Sequence, residues 1–256
     1  MKLKTILLTT VATGAFMCEP VIVHAVNSTP DSMGWFRKKK KSEPNDSVKS
    51  KNEYEKLTGD GSIIRRGMFN VYQKKNDYYF EVPTNLLGRD MLVVNNLQRV
   101  PSELNEAGVN RGTNYENQMV RFELDKATNK LLIRQSRPLP LAPAEDAISQ
   151  SVRDNYISPL IAGFKIEAFN NDSTTMVIKV NDIYDGTETS INNVFTNINL
   201  GTSSIKNLSR ILSIKSFENN VVATSELTTK VTEGTTSIYV TVEVSSSLML
   251  LPETPM

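Results

Sequence analysis

The side chains equipped for chemistry are few, and most stand without the partners that chemistry needs. Asn181-Asp182-Ile183-Tyr184-Asp185-Gly186 places several oxygen-bearing side chains and a glycine within six positions, as the start of a calcium loop does. The full loop spacing and the distal Glu do not follow, and a turn after a strand accounts for the same residues. Glu145-Asp146 offers two adjacent carboxylates for acid–base work, and the positive N-terminus of a helix explains them more simply. Tyr78-Tyr79-Phe80 offers rings that would stack on a sugar or a peptide. In a strand Tyr78 and Phe80 share one face and Tyr79 takes the other, so at least one ring belongs to the core. Ser245-Ser246-Ser247 has hydroxyls but no base to activate them, and reads as a strand edge or bend.

What is missing narrows the chemistry further. The chain has one His and one Cys, His24 and Cys18. Beyond residue 24 there is thus no imidazole base, no Ser-His-Asp triad and no HExxH zinc helix. No thiolate remains to act as nucleophile or metal ligand, and no glycine loop to cradle phosphate. No residue is assigned as catalytic, cofactor-binding or metal-binding. An enzyme working with carboxylates alone needs two of them about 5–10 Å apart in a cleft, and no pair stands out. Lys and Arg number 29 against 28 Asp and Glu, a balance that argues against a nucleic-acid partner.

The N-terminus reads as a secretory signal over residues 1–25. Lys2 and Lys4 form the basic end, Ile6 to Met17 is apolar but shorter than the about 20 residues that span a bilayer, and Val23-His24-Ala25 is an A-x-A-like cleavage site. A lipid anchor at Cys18 is the alternative, disfavoured by bulky Met17 before it. The expected location is outside the inner membrane: periplasmic, outer-membrane-associated or secreted. No later stretch is a transmembrane segment. Residues 26–52, with Pro30, Pro44 and the run Arg37-Lys38-Lys39-Lys40-Lys41, have too few apolar side chains to offset ordering entropy and read as a disordered basic tether.

From Tyr54 onward the pattern is strand-like, and the predicted fold is mainly β (α+β): antiparallel sheets with two short helices. Met68–Tyr72 and Tyr78–Val82 form a hairpin across a polar turn. Gly88 suits a positive φ in the connection that follows. Met91–Asn95 is a third strand, and 101–117 a polar loop. Met119–Leu124 and Leu131–Gln135 form a second hairpin, and the prolines of 137–143 an extended connector. Ala144 to Ile157 is a predicted helix with Ile148, Val152 and Tyr156 on one face. Thr175–Val180 is a strand entered by the turn Asn170-Asn171-Asp172. Ser204 to Ser213 is a second predicted helix, with Ile205, Leu208, Ile211 and Leu212 on one stripe. Val221–Thr228 and Ser237–Ser245 are strands, the latter with Ile238, Val240, Val242 and Val244 on one face. The elements group into a small β subdomain, 54–103, and a larger β-rich domain, 112–256.

Several of these stretches together resemble a known family. Gly67–Asn95, GMFNVYQKKNDYYFEVPTNLLGRDMLVVN, is similar to the first N-terminal block of large secreted bacterial zinc-dependent metalloproteases of the metzincin type. Those proteins carry two N-terminal domains of unknown function before the catalytic domain. Val120–Gln135 and Asp146–Ile157 resemble the start of the second of these domains, and Val242–Met256 resembles the segment leading towards the protease. The resemblance implies a non-catalytic accessory region that supports or gates a downstream catalytic domain, its main partner, with peptide substrate as a further one. Zinc is expected only in that domain, since the HExxHxxGxxH motif is absent from this sequence. It further implies that the larger domain is truncated at its C-terminal end, so that Leu248, Leu250 and Leu251 lack chain to pack against. The alternative is a stand-alone cell-envelope module binding peptide or glycan through the Tyr78–Phe80 sheet.

Overall fold

The computed structural model describes residues 53–59, 62–136 and 146–253. The signal, the tether and the proline connector 137–143 lie outside these residues. Among them, eleven strands form one sheet in which every neighbouring pair is antiparallel. In chain order they are β1 (Ile63–Arg65), β2 (Asn70–Lys74), β3 (Asp77–Pro83), β4 (Met91–Arg99), β5 (Asn114–Asp125), β6 (Lys130–Ser136), β7 (Leu160–Phe169), β8 (Thr175–Lys179), β9 (Arg210–Ser216), β10 (Asn220–Glu233) and β11 (Thr236–Leu250). Across the sheet they lie in the order β1-β2-β3-β8-β7-β6-β5-β4-β11-β10-β9. The stretches 54–103 and 112–256 are therefore interleaved: β3 pairs with β8, and β4 runs between β5 and β11.

The sheet curls almost into a barrel, because a twisted sheet of this size closes on itself to bury its apolar face. Its two ends meet where Met68 N–H donates to Phe217 O at 2.6 Å and Ser216 Oγ donates to Phe69 O at 2.7 Å. The approach requires a glycine at 67, where a Cβ would collide with Ser216 Oγ and with the backbone of Phe217. Inside lie two apolar cores. The first is built on Phe69, whose ring sits 5.5 Å from Phe80 and 6.0 Å from Phe122, with Met91, Leu131, Met176, Ile178 and Ile214 around it. The second gathers Leu97, Phe195, Leu227, Val242 and Val244.

Short helical pieces accompany the sheet: α1 (53–58), α2 (Ser102–Glu106), α3 (Ala147–Asn155), α4 (Asn181–Tyr184) and α5 (Val194–Asn197). The expected hairpins at 68–82 and 119–135 form, the first with a tight turn at Lys75-Asn76, where Lys75 takes φ +56°. Gly88 has φ +74°, and the 144–157 helix is represented by α3.

Other elements depart from expectation. Ser204 to Ser213 is not a helix: a single 3₁₀ turn at Lys206–Leu208 leads into β9. The pairing with β10 skips Leu212, a bulge that adds one residue to the two-residue repeat. Ile211 and Ile214, three apart, therefore both reach the first core and imitate helical spacing. The 101–117 stretch contains α2 and the first residues of β5 rather than loop alone. Ser245-Ser246-Ser247 is no edge or bend, since β11 pairs there with β10 on one side and β4 on the other. Nor do the last leucines lack packing. Leu248 is buried in the first core and Leu250 packs against it. Leu251 N–H donates to Asp90 O at 3.0 Å, and Leu251 O accepts from Arg89 at 3.1 Å.

Candidate functional site

The structure disperses the residues that sequence put forward. Asn181 opens α4, and its amide clamps the β2–β3 hairpin: Oδ1 accepts from Tyr78 N–H and Nδ2 donates to Asn76 O, both at 2.8 Å. Asp182 pairs with Lys206 at 2.6 Å, and Asp185 Oδ1 accepts Thr187 N–H at 2.9 Å. The Asn181 oxygen is turned to the hairpin while Lys206 lies near both Asp182 and Asp185, at 2.6 and 3.9 Å, so these oxygens are engaged by protein donors, as in a turn. Asp146 Oδ1 accepts Ile148 N–H at 3.0 Å at the start of α3, the capping role; Glu145 lies outside the described residues. Tyr78 and Phe80 are buried in the first core, and β3 runs between β2 and β8. Tyr79, on the opposite face, is part-exposed, and β3 offers no free edge. Among the described residues no group of three or more His, Cys, Asp or Glu is placed to hold a metal ion.

Two glutamates show what buried charge does in this fold. Glu81, on β3, is buried with no cation beside it. Tyr54 and Thr175 donate to Oε1 at 2.7 and 2.6 Å, and Asn70 and Tyr72 to Oε2 at 2.9 and 2.8 Å. Burial alone would raise its pKa; the four donors outweigh burial and hold the carboxyl below its ordinary range. The same contact, together with burial, pushes the Tyr72 hydroxyl upward. Tyr54 brings α1 into this cluster, so the carboxylate pins a helix to the outside of the barrel. Glu116, on β5, is half-buried and poorly served. Asn193 N–H reaches it at 3.2 Å and Asn197 Nδ2 at 3.4 Å, and burial raises its pKa.

A polar belt separates the two cores. Along β4 the inward positions run Val93, Asn95, Leu97; along β11 Leu248, Ser246, Val244; along β10 Ala223, Ser225, Leu227. The middle residue of each triplet is polar and buried. The belt receives the loop between α4 and α5. Asn95 Nδ2 donates to Ile191 O at 2.8 Å, Gln118 Nε2 to Ser190 O at 2.7 Å, Tyr115 OH to Asn192 Oδ1 at 2.7 Å, and Asn192 Nδ2 to Ser246 Oγ at 3.2 Å. Among the buried side-chain oxygens and nitrogens of the described residues, Asn95 Oδ1 alone has no hydrogen-bond partner. A cavity of about 20 Å³ lies beside the belt, between Val93, Ile191 and Ser246, the size of a water molecule rather than of a substrate.

Two surface features bear on function, and neither was foreseen as a site. A groove of about 560 Å³ lies between hairpin turns, with Leu87, Leu124 and Phe169 as its apolar floor and Thr84, Lys126, Asn129 and Ser173 around it. Separately, Ile148, Tyr156, Ile157 and Leu160, from α3 to the start of β7, are all exposed, Ile157 at 88%. The strand register places this apolar stretch. Leu250 pairs with Met91, Met91 with Val120, Val120 with Gln135, and Gln135 N–H donates to Pro159 O. The stretch thus stands at the level where β11 ends, four strand spacings away, or about 19 Å along the sheet. Among the described residues no helix is long and apolar enough to cross a membrane.

Comparison with known proteins gives two family matches and no relative of known function. No curated protein and no solved structure matches the chain. Residues 51–100 match the domain of unknown function DUF5118, which ends just beyond β4, the strand held between two strands of the following match. With residues 112–256 matching over more than half its length, the chain belongs to the family described as domain of unknown function DUF5117.

Proposed function

We propose that this chain is a non-catalytic accessory region that braces or gates a catalytic domain, in the manner of the N-terminal part of a secreted, metzincin-type zinc protease. The reading rests on the resemblance of Gly67–Asn95, Val120–Gln135 and Val242–Met256 to that region. One observation of the fold carries it furthest: the exposed apolar stretch Ile148, Tyr156, Ile157 and Leu160 stands at the end of the barrel where β11 runs out. Exposed apolar side chains gathered in one short stretch suit an interaction surface. A domain attached after Glu253 would meet it. Export through the 1–25 signal, with work in the periplasm or outside the cell, belongs to the same proposal, as does a peptide substrate for the attached domain. Zinc and its ligands would lie wholly in that domain.

The test is the mass of the native protein in its source, detected with an antibody raised against residues 54–256. The expected species is far heavier than 28.6 kDa. A native species at or slightly below that mass overturns the proposal. So does peptide cleavage by the purified chain that disappears with a chelator.

A further inference from the structure

The groove between the hairpin turns has a built-in cause. β6 begins at Lys130, opposite Lys165 of β7. Ala168 and Phe169 therefore extend beyond β6 and pair only with β8, the register skipping Glu167, and the sheet splays between the 125–130 turn and the 170–174 turn. Leu87, Leu124 and Phe169 floor the opening, each half-buried against the first core. The walls are rigid. Asp125 Oδ1 accepts Ala127 N–H at 2.9 Å and its Oδ2 accepts the Thr128 hydroxyl at 2.5 Å. Asn170 Oδ1 accepts Thr174 and Thr175 N–H at 2.8 and 3.1 Å, and Thr84 N–H donates to Thr174 O at 2.8 Å. Asn129 and Ser173, one on each wall, take φ +52° and +55°, the left-handed conformation of tight turns.

Lys126 is the charged side chain of the groove lining. Lys126 makes no hydrogen bond or ion pair among the described residues, and its neighbour Asp125 is engaged by the amides and hydroxyl of its own turn. Asp172, on the facing turn, does not line the groove. The side chains of Asn129 and Ser173 are also unengaged within the described residues, and exposed. An apolar floor, one free ammonium and unengaged amide and hydroxyl groups match an apolar side chain, a carboxylate and a peptide backbone. We propose that this groove binds the C-terminal end of a peptide whose last residue is apolar, the side chain on Leu87, Leu124 and Phe169 and the terminal carboxylate at Lys126. A hydrocarbon acid would use the floor and the ammonium but leave the amide and hydroxyl idle. The volume lies within the range of small-ligand sites, and the mouth of a β-barrel is a recurring place for one.

The test is an NMR titration of the ¹⁵N-labelled chain with three probes: N-acetyl-Leu-Phe as the free acid, the same dipeptide as its C-terminal amide, and decanoate. The free acid is expected to shift amide signals in 84–87, 124–130 and 169–173, and to bind about fivefold more tightly than the amide, the scale of one partly exposed ion pair. In Lys126→Glu, an exposed substitution that the fold tolerates, that preference should vanish. Equal binding of acid and amide, a preference that survives Lys126→Glu, tighter binding of decanoate than of the peptide acid, or no shift in those three segments each overturns the proposal.

Discussion

The two cores of the barrel are made in different ways. The first is enclosed mainly by paired strands from both family matches, β2 and β3 facing β5, β6 and β8, with Ile183 and Tyr184 of α4 and Ile191 of the following loop packed into it. The second shares β4, β10 and β11 with it but is closed by loop: Val194, Phe195 and Ile198 come from the four-residue α5 and its end. The ladder hydrogen bonds of the first core hold its walls whether or not any one side chain is present. The second core relies on the belt of Asn95, Tyr115, Asn192 and Ser246 to hold the loop in place. A truncation in the first core should therefore leave a cavity that cannot collapse, and one in the second should be partly relieved by loop movement.

That difference is sharpest for two equal side chains. Phe69→Ala is expected to destabilise the fold by about 4 kcal/mol and Phe195→Ala by about 3, both within the range for buried Phe truncation. Both rings are essentially without solvent exposure, 0% and 1%, so burial does not separate them. Urea denaturation of the two variants measures the gap. If Phe195→Ala costs as much as Phe69→Ala, the loop is as rigid as the strands and the contrast fails.

The belt itself comes next. Asn192→Ala removes the acceptor of the Tyr115 hydroxyl and the donor to Ser246 together, leaving the two buried hydroxyls only each other as partners. The expected loss is about 2 kcal/mol. Hydrogen exchange should show faster opening confined to 188–200, while amides of β5 and β6 stay protected. Uniform loss of protection would instead mean that the belt holds the whole barrel.

The hairpins of this fold are legible because apolar alternation survives in them: Val240, Val242 and Val244 on β11, Phe122 and Leu124 on β5. β7 escaped notice because Ala162, Gly163 and Ala168 dilute its pattern with residues that favour no strand. β9 was misread because the bulge at Leu212 shifts the phase of its apolar positions. Ser246 looked like an edge because polarity in a strand normally faces water, whereas here it belongs to an interior belt completed by a loop some fifty residues earlier. The groove could not be read at all. Leu87 lies in a connection, Leu124 near the end of β5 and Phe169 at the end of β7, and only the offset between β6 and β7 brings them together.

The two glutamates carry the comparison into electrostatics. Glu81→Gln replaces a four-donor acceptor with an amide whose NH₂ must face hydroxyls and an amide donor, an expected loss of about 2 kcal/mol at neutral pH. Its folded pKa is lowered, so its contribution is present above the unfolded pKa, about 4.3, and is lost as pH falls through the folded value. The difference between parent and Glu81→Gln should shrink on acidification from pH 5 to pH 3. A difference that stays constant with pH would mean that packing, not charge, keeps Glu81 in place.

Glu116 should behave in the opposite sense, with the smallest effect. Its folded pKa is raised by burial, so its contribution to stability is greatest below the unfolded pKa and is lost as pH rises through the folded value. When ionised, the carboxylate has there one long amide bond and one longer still. Glu116→Gln removes the charge and keeps an oxygen for Asn193 N–H. The expected result is a variant as stable as the parent at pH 7, or a few tenths of a kcal/mol more stable, with that advantage disappearing towards pH 4. Paired urea titrations at pH 7 and pH 4 decide it. If Glu116→Gln is the less stable protein at pH 7, the ionised carboxylate is holding α5 in place, and the loop that closes the second core depends on charge after all.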